Sequence, residues 1–270
     1  MTPAALVVAL VCSLVVVGAR STYAESPVAG SLDTALDLFY NGHFAEAAGV
    51  SRELSQEEPS LAVCELRASA LLFQIRRAVG DRPDKSKAFK ACEACPSLVE
   101  EFTHETTAGQ TSARAVLREN PNDATALFFL GKLNLNYLWL VLETMGRRTG
   151  WNEYWEARHS LDAALAQQPD FQRAKVARAW IDYVVDTRMP WGTGWLLGGG
   201  NKKKALRVMR DAAQTEGDFY ANAEALFGLW EMQVREKDVN DAVDSARRLA
   251  VMFPNNPEVA RFVSTHAAGR

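Results

Sequence analysis

One spacing constrains this chain more than any other feature. A small residue is followed four positions later by a second core position, three later by a third, and five beyond that by proline. Ala157, Leu161, Ala164 and Pro169 set it out. Ala47, Ser51, Leu54 and Pro59 repeat it, as do Gly109, Ala113, Val116 and Pro121, and again Ala242, Ala246, Leu249 and Pro254. A fifth copy, Ala205, Met209 and Ala212, ends at Gly217. Such positions share one stripe of an α-helix, and proline, with its locked φ and missing N–H, stops the helix. A recurring unit of this kind cannot bury its apolar stripe alone and must stack on its neighbours. The chain therefore reads as all-α, built from helix pairs.

The pattern predicts pairs near 32–59, 61–121, 124–169, 171–217 and 219–254, with a last helix over 257–268 capping the open end of the stack. First helices are expected at Leu32–Tyr40, Leu61–Val79, 124–145, 171–185 and Phe219–Arg235. Their partners are expected at 45–54, 98–119, 153–168, 202–214 and 240–253. A short additional helix is predicted over 85–95, ended by Pro96, and Gly109 is a point where the 98–119 helix could break.

Within the third pair, Leu127-x-x-Leu130-Gly131 followed by Asn134 is similar to the Trp-x-x-Leu-Gly-x-x-Tyr signature of a tetratricopeptide helix, with Leu for Trp and Asn for Tyr. Here the chain resembles the tetratricopeptide-repeat (TPR) family over nearly all of residues 25–270. The resemblance implies a right-handed superhelical stack whose first helices line a concave surface. Pro59, Pro121, Pro169 and Pro254 lie farther apart than the ~34-residue repeat allows. The offsets within each second helix are intact, so the surplus enlarges the turns inside the pairs, at 80–97, 146–152 and 186–201. Insertions of this kind collect on one face of a solenoid, often the binding face.

Residues 4–19 form an apolar run followed by Thr22-Tyr23-Ala24, which reads as an export signal over 1–24 with a mature domain at 25–270. No later segment is read as long and apolar enough to span a bilayer, 135–142 being too short. Hydrophobic content of 48% supports a continuous core, and a formal charge of −3 argues against general nucleic-acid binding. The mature chain keeps Cys64, Cys92 and Cys95, an odd number for an oxidising compartment. A disulfide among these three is expected, and Cys64 bonded to either partner would staple the inserted segment to its hairpin. A zinc site would have to draft Cys64, Cys92, Cys95 and His104. Haem attachment is excluded because Pro96 stands where His is needed, and a thioredoxin-type motif lacks its βαβ setting.

Two further clusters stand out. The insertion at 186–204 carries Arg188, Trp191, Trp195 and a glycine triplet that leads to Asn201 and Lys202, Lys203 and Lys204 at a helix start. With Asn201 as N-cap, the free N–H groups there suit a carboxylate, a phosphate or an acidic partner segment. The competing reading folds Trp191, Trp195 and Leu196 back on the stack and leaves the lysines solvated. Arg147, Arg148, Trp151, Tyr154 and Trp155 form the second cluster, either a binding hot spot or amphipathic packing at a helix start.

His43, His104, His159 and His266 are isolated from any nucleophile or paired-carboxylate motif, so no enzyme is expected, and no cofactor. The glycine-rich stretch before a basic helix, with Phe253-Pro254-Asn255-Asn256 later, resembles exported bacterial repeat proteins of unassigned function. A looser similarity is to the helical-repeat partner subunit of certain periplasmic solute transporters. The expectation is a non-catalytic periplasmic scaffold that binds a protein or peptide. The alternative is an accessory of a solute transporter, with the insertions closing a pocket on a small anionic ligand.

Overall fold

A computed structural model describes residues 31–57, 59–147, 150–188, 194–215 and 217–267, and all regular structure among them is helical. The helices are α1 (Leu32–Tyr40), α2 (Phe44–Glu57), α3 (Leu61–Val79), α4 (Lys85–Lys90), α5 (Cys95–Glu119) and α6 (Ala124–Leu138). They continue with α7 (Trp151–Gln167), α8 (Gln172–Arg188), α9 (Lys202–Ala212), α10 (Phe219–Arg235), α11 (Val239–Met252) and α12 (Pro257–Ala267). The predicted export signal, the lead after it, Arg148 and Trp191 lie outside the described residues.

Each second helix of a pair contacts both the first helix before it and the one after it. The first helices also touch one another in sequence, α1 to α3, α3 to α6, α6 to α8 and α8 to α10. This makes an inner row and an outer row. The repeated spacing explains why. The leading small residues Ala47, Ala157, Ala205 and Ala242 have no exposed surface, nor do Ser51, Ala113, Leu161, Met209 and Ala246 four residues on. A side chain at Gly131 would put Cβ 2.7 Å from Leu161 Cγ and 3.2 Å from the Ala157 carbonyl, and one at Gly109 would strike Leu133 at 2.7 Å. The glycines allow helix backbones to approach to within one side-chain layer. After the prolines come caps: Ser60, Asp123 and Asn256 accept from backbone N–H groups of Val63, Ala126 and Val259 at 3.3, 2.8 and 3.0 Å.

Several expectations change. Pro96 sits in the first turn of α5, where its missing N–H is no loss, and starts that helix instead of ending the previous one. The short helix is accordingly confined to Lys85–Lys90, and α5 runs through Gly109 for 25 residues. The helix over 124–145 is α-helical only to Leu138; Trp139–Thr144 is a π-helical turn in which the Met145 N–H donates to the Leu140 carbonyl at 2.9 Å. With that turn, Ala124–Thr144 is 21 residues long with mean hydropathy 1.3, long and apolar enough to cross a membrane by length and composition. This corrects the reading that no such segment exists; here 72% of its apolar window is buried among the other helices.

The main finding is at the ends of the stack. Instead of capping an open end, α12 meets the first hairpin, and the row of helices closes into a ring. Asn256 Nδ2 donates to the Tyr40 carbonyl at 2.7 Å, the Asn255 N–H donates to Asn41 Oδ1 at 3.2 Å, and Tyr220 donates to the Asp33 carbonyl at 3.0 Å. Tyr40 stacks on Phe253, Phe227 and Tyr220 with centroids 5.2, 5.5 and 5.9 Å apart. Arg77 pairs with Glu258 at 3.2 Å.

Candidate functional site: a central chamber with a basic mouth

Ring closure turns the concave face into a chamber. It has a volume of about 710 Å³ and is lined from every inner helix: α1, α3, α6, α8, α10 and α12. Its wall mixes aromatic side chains, Phe39, Phe73, Trp139, Trp180, Phe227 and Trp230 among them, with charged ones such as Glu65, Lys132, Arg173 and Glu224. At the C-terminal ends of α3, α8 and α10 lies a mouth of about 950 Å³. Mouth and chamber share Phe44, Phe73, Arg76, Asp81, Glu258 and Arg261, so they are one continuous space.

The chamber wall carries an ion network. Arg173 on α8 donates to Glu224 on α10 at 2.7 Å and to Glu65 on α3 at 3.2 Å. Lys132 on α6 pairs with the other oxygen of Glu224. Ser69 donates to Glu65 at 2.7 Å, and Asn136 donates to Ser69 at 3.0 Å. Glu65 and Glu224 are 6% and 11% exposed, so bare carboxylates there would be costly. Burial alone would raise the Glu224 pKa, but the facing Lys132 and Arg173 outweigh it and hold the carboxyl well below its usual range. Burial opposes the Arg173 charge, yet Glu224 and Glu65 drive its pKa up, so the guanidinium stays charged. The four ions join four different inner helices, which suits a ring whose members must keep register.

A second network marks the passage from chamber to mouth. Arg235 pairs with Glu231 at 2.7 Å and with Glu143 at 3.8 Å, while Arg76 reaches Glu231 at 3.5 Å and Arg188 reaches Glu143 at 2.8 Å. The Arg235 guanidinium also lies 5.5 Å from the Trp139 ring centroid and 6.0 Å from that of Trp180. Burial opposes ionisation of Glu231, but Arg76 and Arg235 win and lower its pKa. The π-helical turn contributes here: it holds Trp139, which lines the chamber, and Glu143, which lines the mouth. The insertions meet at the same place. Asp81 and Lys85 of the first line the mouth, and a Cβ at Gly146 of the second would touch Lys85 and Ser86 at 3.6 Å.

Among the described residues, Arg188 is the one sequence-predicted site residue placed on this space. The helix start at α9 does not offer its N–H groups to a ligand as expected. Asp186 accepts from the Lys202 N–H at 2.8 Å, Asn201 accepts from the Lys204 N–H at 2.8 Å, and Lys202 Nζ is paired with Glu236 at 2.6 Å. Lys203 and Lys204 are exposed on the outer row. The glycine triplet is packing. Arg158 donates to the Gly198 carbonyl at 2.7 Å, and a Cβ at Gly200 would lie 2.6 Å from the Asp182 carbonyl oxygen. Leu197 is buried and Leu196 is half exposed, and the side chain of Trp195 lies outside the described set.

The aromatic–arginine cluster is divided. Tyr154 donates to the Leu197 carbonyl at 2.6 Å and so pins the loop. Trp155 stacks on His159 at 5.5 Å, while Trp151 is 59% exposed and Arg147 is exposed on the outside. Cys92 is bonded to Cys95, and Cys64 is a free thiol, so the staple from Cys64 to the insertion does not form. The reason is placement. Cys64 faces α5 beside Gly109 and Glu105, and its pKa is pushed up to about 12 by burial and the Glu105 carboxylate. With Cys92 and Cys95 joined, the drafted zinc set with His104 is not assembled.

Sequence reading missed the chamber residues because their signal is weak. Lys132 is the one charge in Ala124–Leu138, an anomaly on the most apolar helix that marks an inward polar position. No protein-family model, curated protein or solved structure matches the chain.

Proposed function

We propose that this chain is an exported, periplasmic, TPR-like binding protein without catalytic activity, and that its ligand is a solute held in the central chamber. The observation that carries this reading is ring closure at Tyr40, which stacks on Tyr220, Phe227 and Phe253 and accepts from Asn256, so that the inner helices face one shared cavity. A volume near 710 Å³ lies within the ~300–1,000 Å³ of small-molecule sites, and its aromatic side chains stand beside polar groups fixed in an ion network. Pre-formed walls cost little ordering entropy on binding. This weighs the solute-accessory role above the protein scaffold. The scaffold reading keeps the outer surface, where Trp151, Arg147, Lys203 and Lys204 are exposed.

Thermal melting against a metabolite and lipid library tests the proposal, with Gly228→Leu as the comparison. Gly228 lines the chamber, and a Cβ there would approach the Trp180 indole nitrogen and Met209 sulfur at 3.2 and 3.1 Å. A ligand at one hundred times its Kd adds about 2.7 kcal/mol, or roughly 5–10 °C in Tm for a chain of this size. The expected result is a class of compounds that raises the wild-type Tm and leaves a cooperatively melting Gly228→Leu unmoved. No stabilising compound, together with a discrete partner cross-linked in cells through Trp151, would overturn the proposal in favour of the scaffold.

A further inference from the structure

Resting on the reading of the chamber as a ligand site, we infer that its ligand is a single-chain amphiphile: the apolar chain lies against the aromatic wall and an anionic headgroup sits in the mouth at Arg261. Charge is distributed unevenly between the two spaces. In the chamber wall, Lys132 and Arg173 are matched by Glu65 and Glu224, and each ion is spent on another. Apolar surface beside that network comes from Trp139, Trp180, Phe227 and Trp230, with Leu36, Leu66, Leu72 and Leu135. The mouth has six cations, Arg76, Arg77, Lys85, Arg188, Arg235 and Arg261, and four carboxylates, Asp81, Glu143 and Glu258 of its own lining and Glu231 of the passage, pair with all of them but Arg261.

Part of that excess has an ordinary explanation. Arg76 and Arg77, Arg188 and Arg235 lie in the last turns of α3, α8 and α10, where cations offset the helix dipole. Arg261 does not fit this account. It stands in the middle of α12, outside its last turn, exposed, and it has no ion-pair partner among the described residues. It lines both the mouth and the chamber, so one ligand can touch it and the aromatic wall together. A guanidinium prefers a carboxylate, sulfate or phosphate, which it grips with two parallel N–H donors.

The test uses three probes of equal chain length below their micelle concentrations: decanoate, 1-decanol and decyltrimethylammonium. Binding is read by tryptophan fluorescence, since Trp139, Trp180 and Trp230 line the chamber. Decanoate is expected to bind at least about tenfold tighter than decanol, with the alkylammonium weakest. Affinity should rise about fourfold per added methylene from octanoate to dodecanoate. Arg261→Glu should weaken decanoate at least about tenfold and leave decanol unchanged. Arg207→Glu, at an exposed position of α9 on the outer row, should change neither. Equal affinity for the three probes, or an Arg261→Glu variant that binds decanoate as the wild type does, overturns the headgroup assignment and leaves the chamber reading standing. No response to any probe overturns the amphiphile class. The library comparison with Gly228→Leu then decides separately whether the chamber takes a ligand at all.

Discussion

Glu224→Gln is the perturbation that bears most directly on the chamber wall. The substitution keeps shape and volume, so no cavity forms. It removes the carboxylate that Lys132 and Arg173 share. Arg173 keeps Glu65 at 3.2 Å, but Lys132, 18% exposed, has no other carboxylate within ion-pair distance among the described residues. A mostly buried cation is then left uncompensated, which costs about 3–5 kcal/mol. The expected loss in Tm is roughly 6–20 °C, read by calorimetry, with urea denaturation giving the free energy. The same charge change makes the chamber more positive, so decanoate should bind no more weakly while the fold weakens. Lys132→Met alone should be mildly destabilising, and Glu224→Gln/Lys132→Met should recover at least about 2 kcal/mol relative to the sum of the single variants. A Glu224→Gln variant within about 0.5 kcal/mol of wild type, or strictly additive single variants, would refute the network as described.

Other perturbations separate packing, seam and titration. Asn256→Ala removes the acceptor that caps α12 and the donor to Tyr40, and should cost about 2–4 kcal/mol while raising hydrogen exchange selectively in α1 and α2. Gly131→Ala gains up to about 1 kcal/mol of helix propensity but forces Cβ to 2.7 Å from Leu161, so a net loss of about 1–2 kcal/mol is expected in denaturant titration. Glu224 and Glu231 both have folded pKa values below 4.5, that of Glu224 near 2. Their contribution is complete above pH 4.5 and drains away as the pH falls through the folded values, so urea midpoints should drop steeply below pH 4.5 and hold level from 5 to 7. Thiol counting on residues 25–270 should find one reactive thiol after unfolding without reductant and three with it. In the native protein Cys64 should alkylate slowly at pH 8, because its pKa near 12 leaves little thiolate.

Much of the architecture was legible because it depends on local chemistry. Helix bounds at Leu61–Val79 and Phe219–Arg235 are as the periodicity places them, and the small residues at 131 and 157 meet as close packing requires. Pro96 was misread because proline both stops helices and starts them, and the choice turns on whether its missing N–H falls in a first turn. The helix start at Asn201–Lys204 reads as an anion site, yet Asp186 and Asn201 take its N–H groups and the triplet at 198–200 serves close approach to α8 and Arg158, a difference set by the fold around them. Ring closure was hidden for a deeper reason. Whether Tyr40 reaches Phe253 depends on small rotations accumulated over five hairpins, and no spacing rule reports that sum. Chamber residues were hidden with it, since Glu65, Arg173 and Glu224 look like ordinary surface charges, and only Lys132 stands out, until the inner row bends round to bring them together.

The central claim is that the first and last hairpins touch and so enclose the chamber. A double-mutant cycle on Tyr40→Leu and Phe253→Leu tests it in solution, because these rings stack at 5.2 Å only when the ring is closed. The account predicts a coupling of about 0.5–1.5 kcal/mol between them in urea denaturation. Additive losses with no coupling, from residues so far apart along the chain, would show an open stack and contradict it.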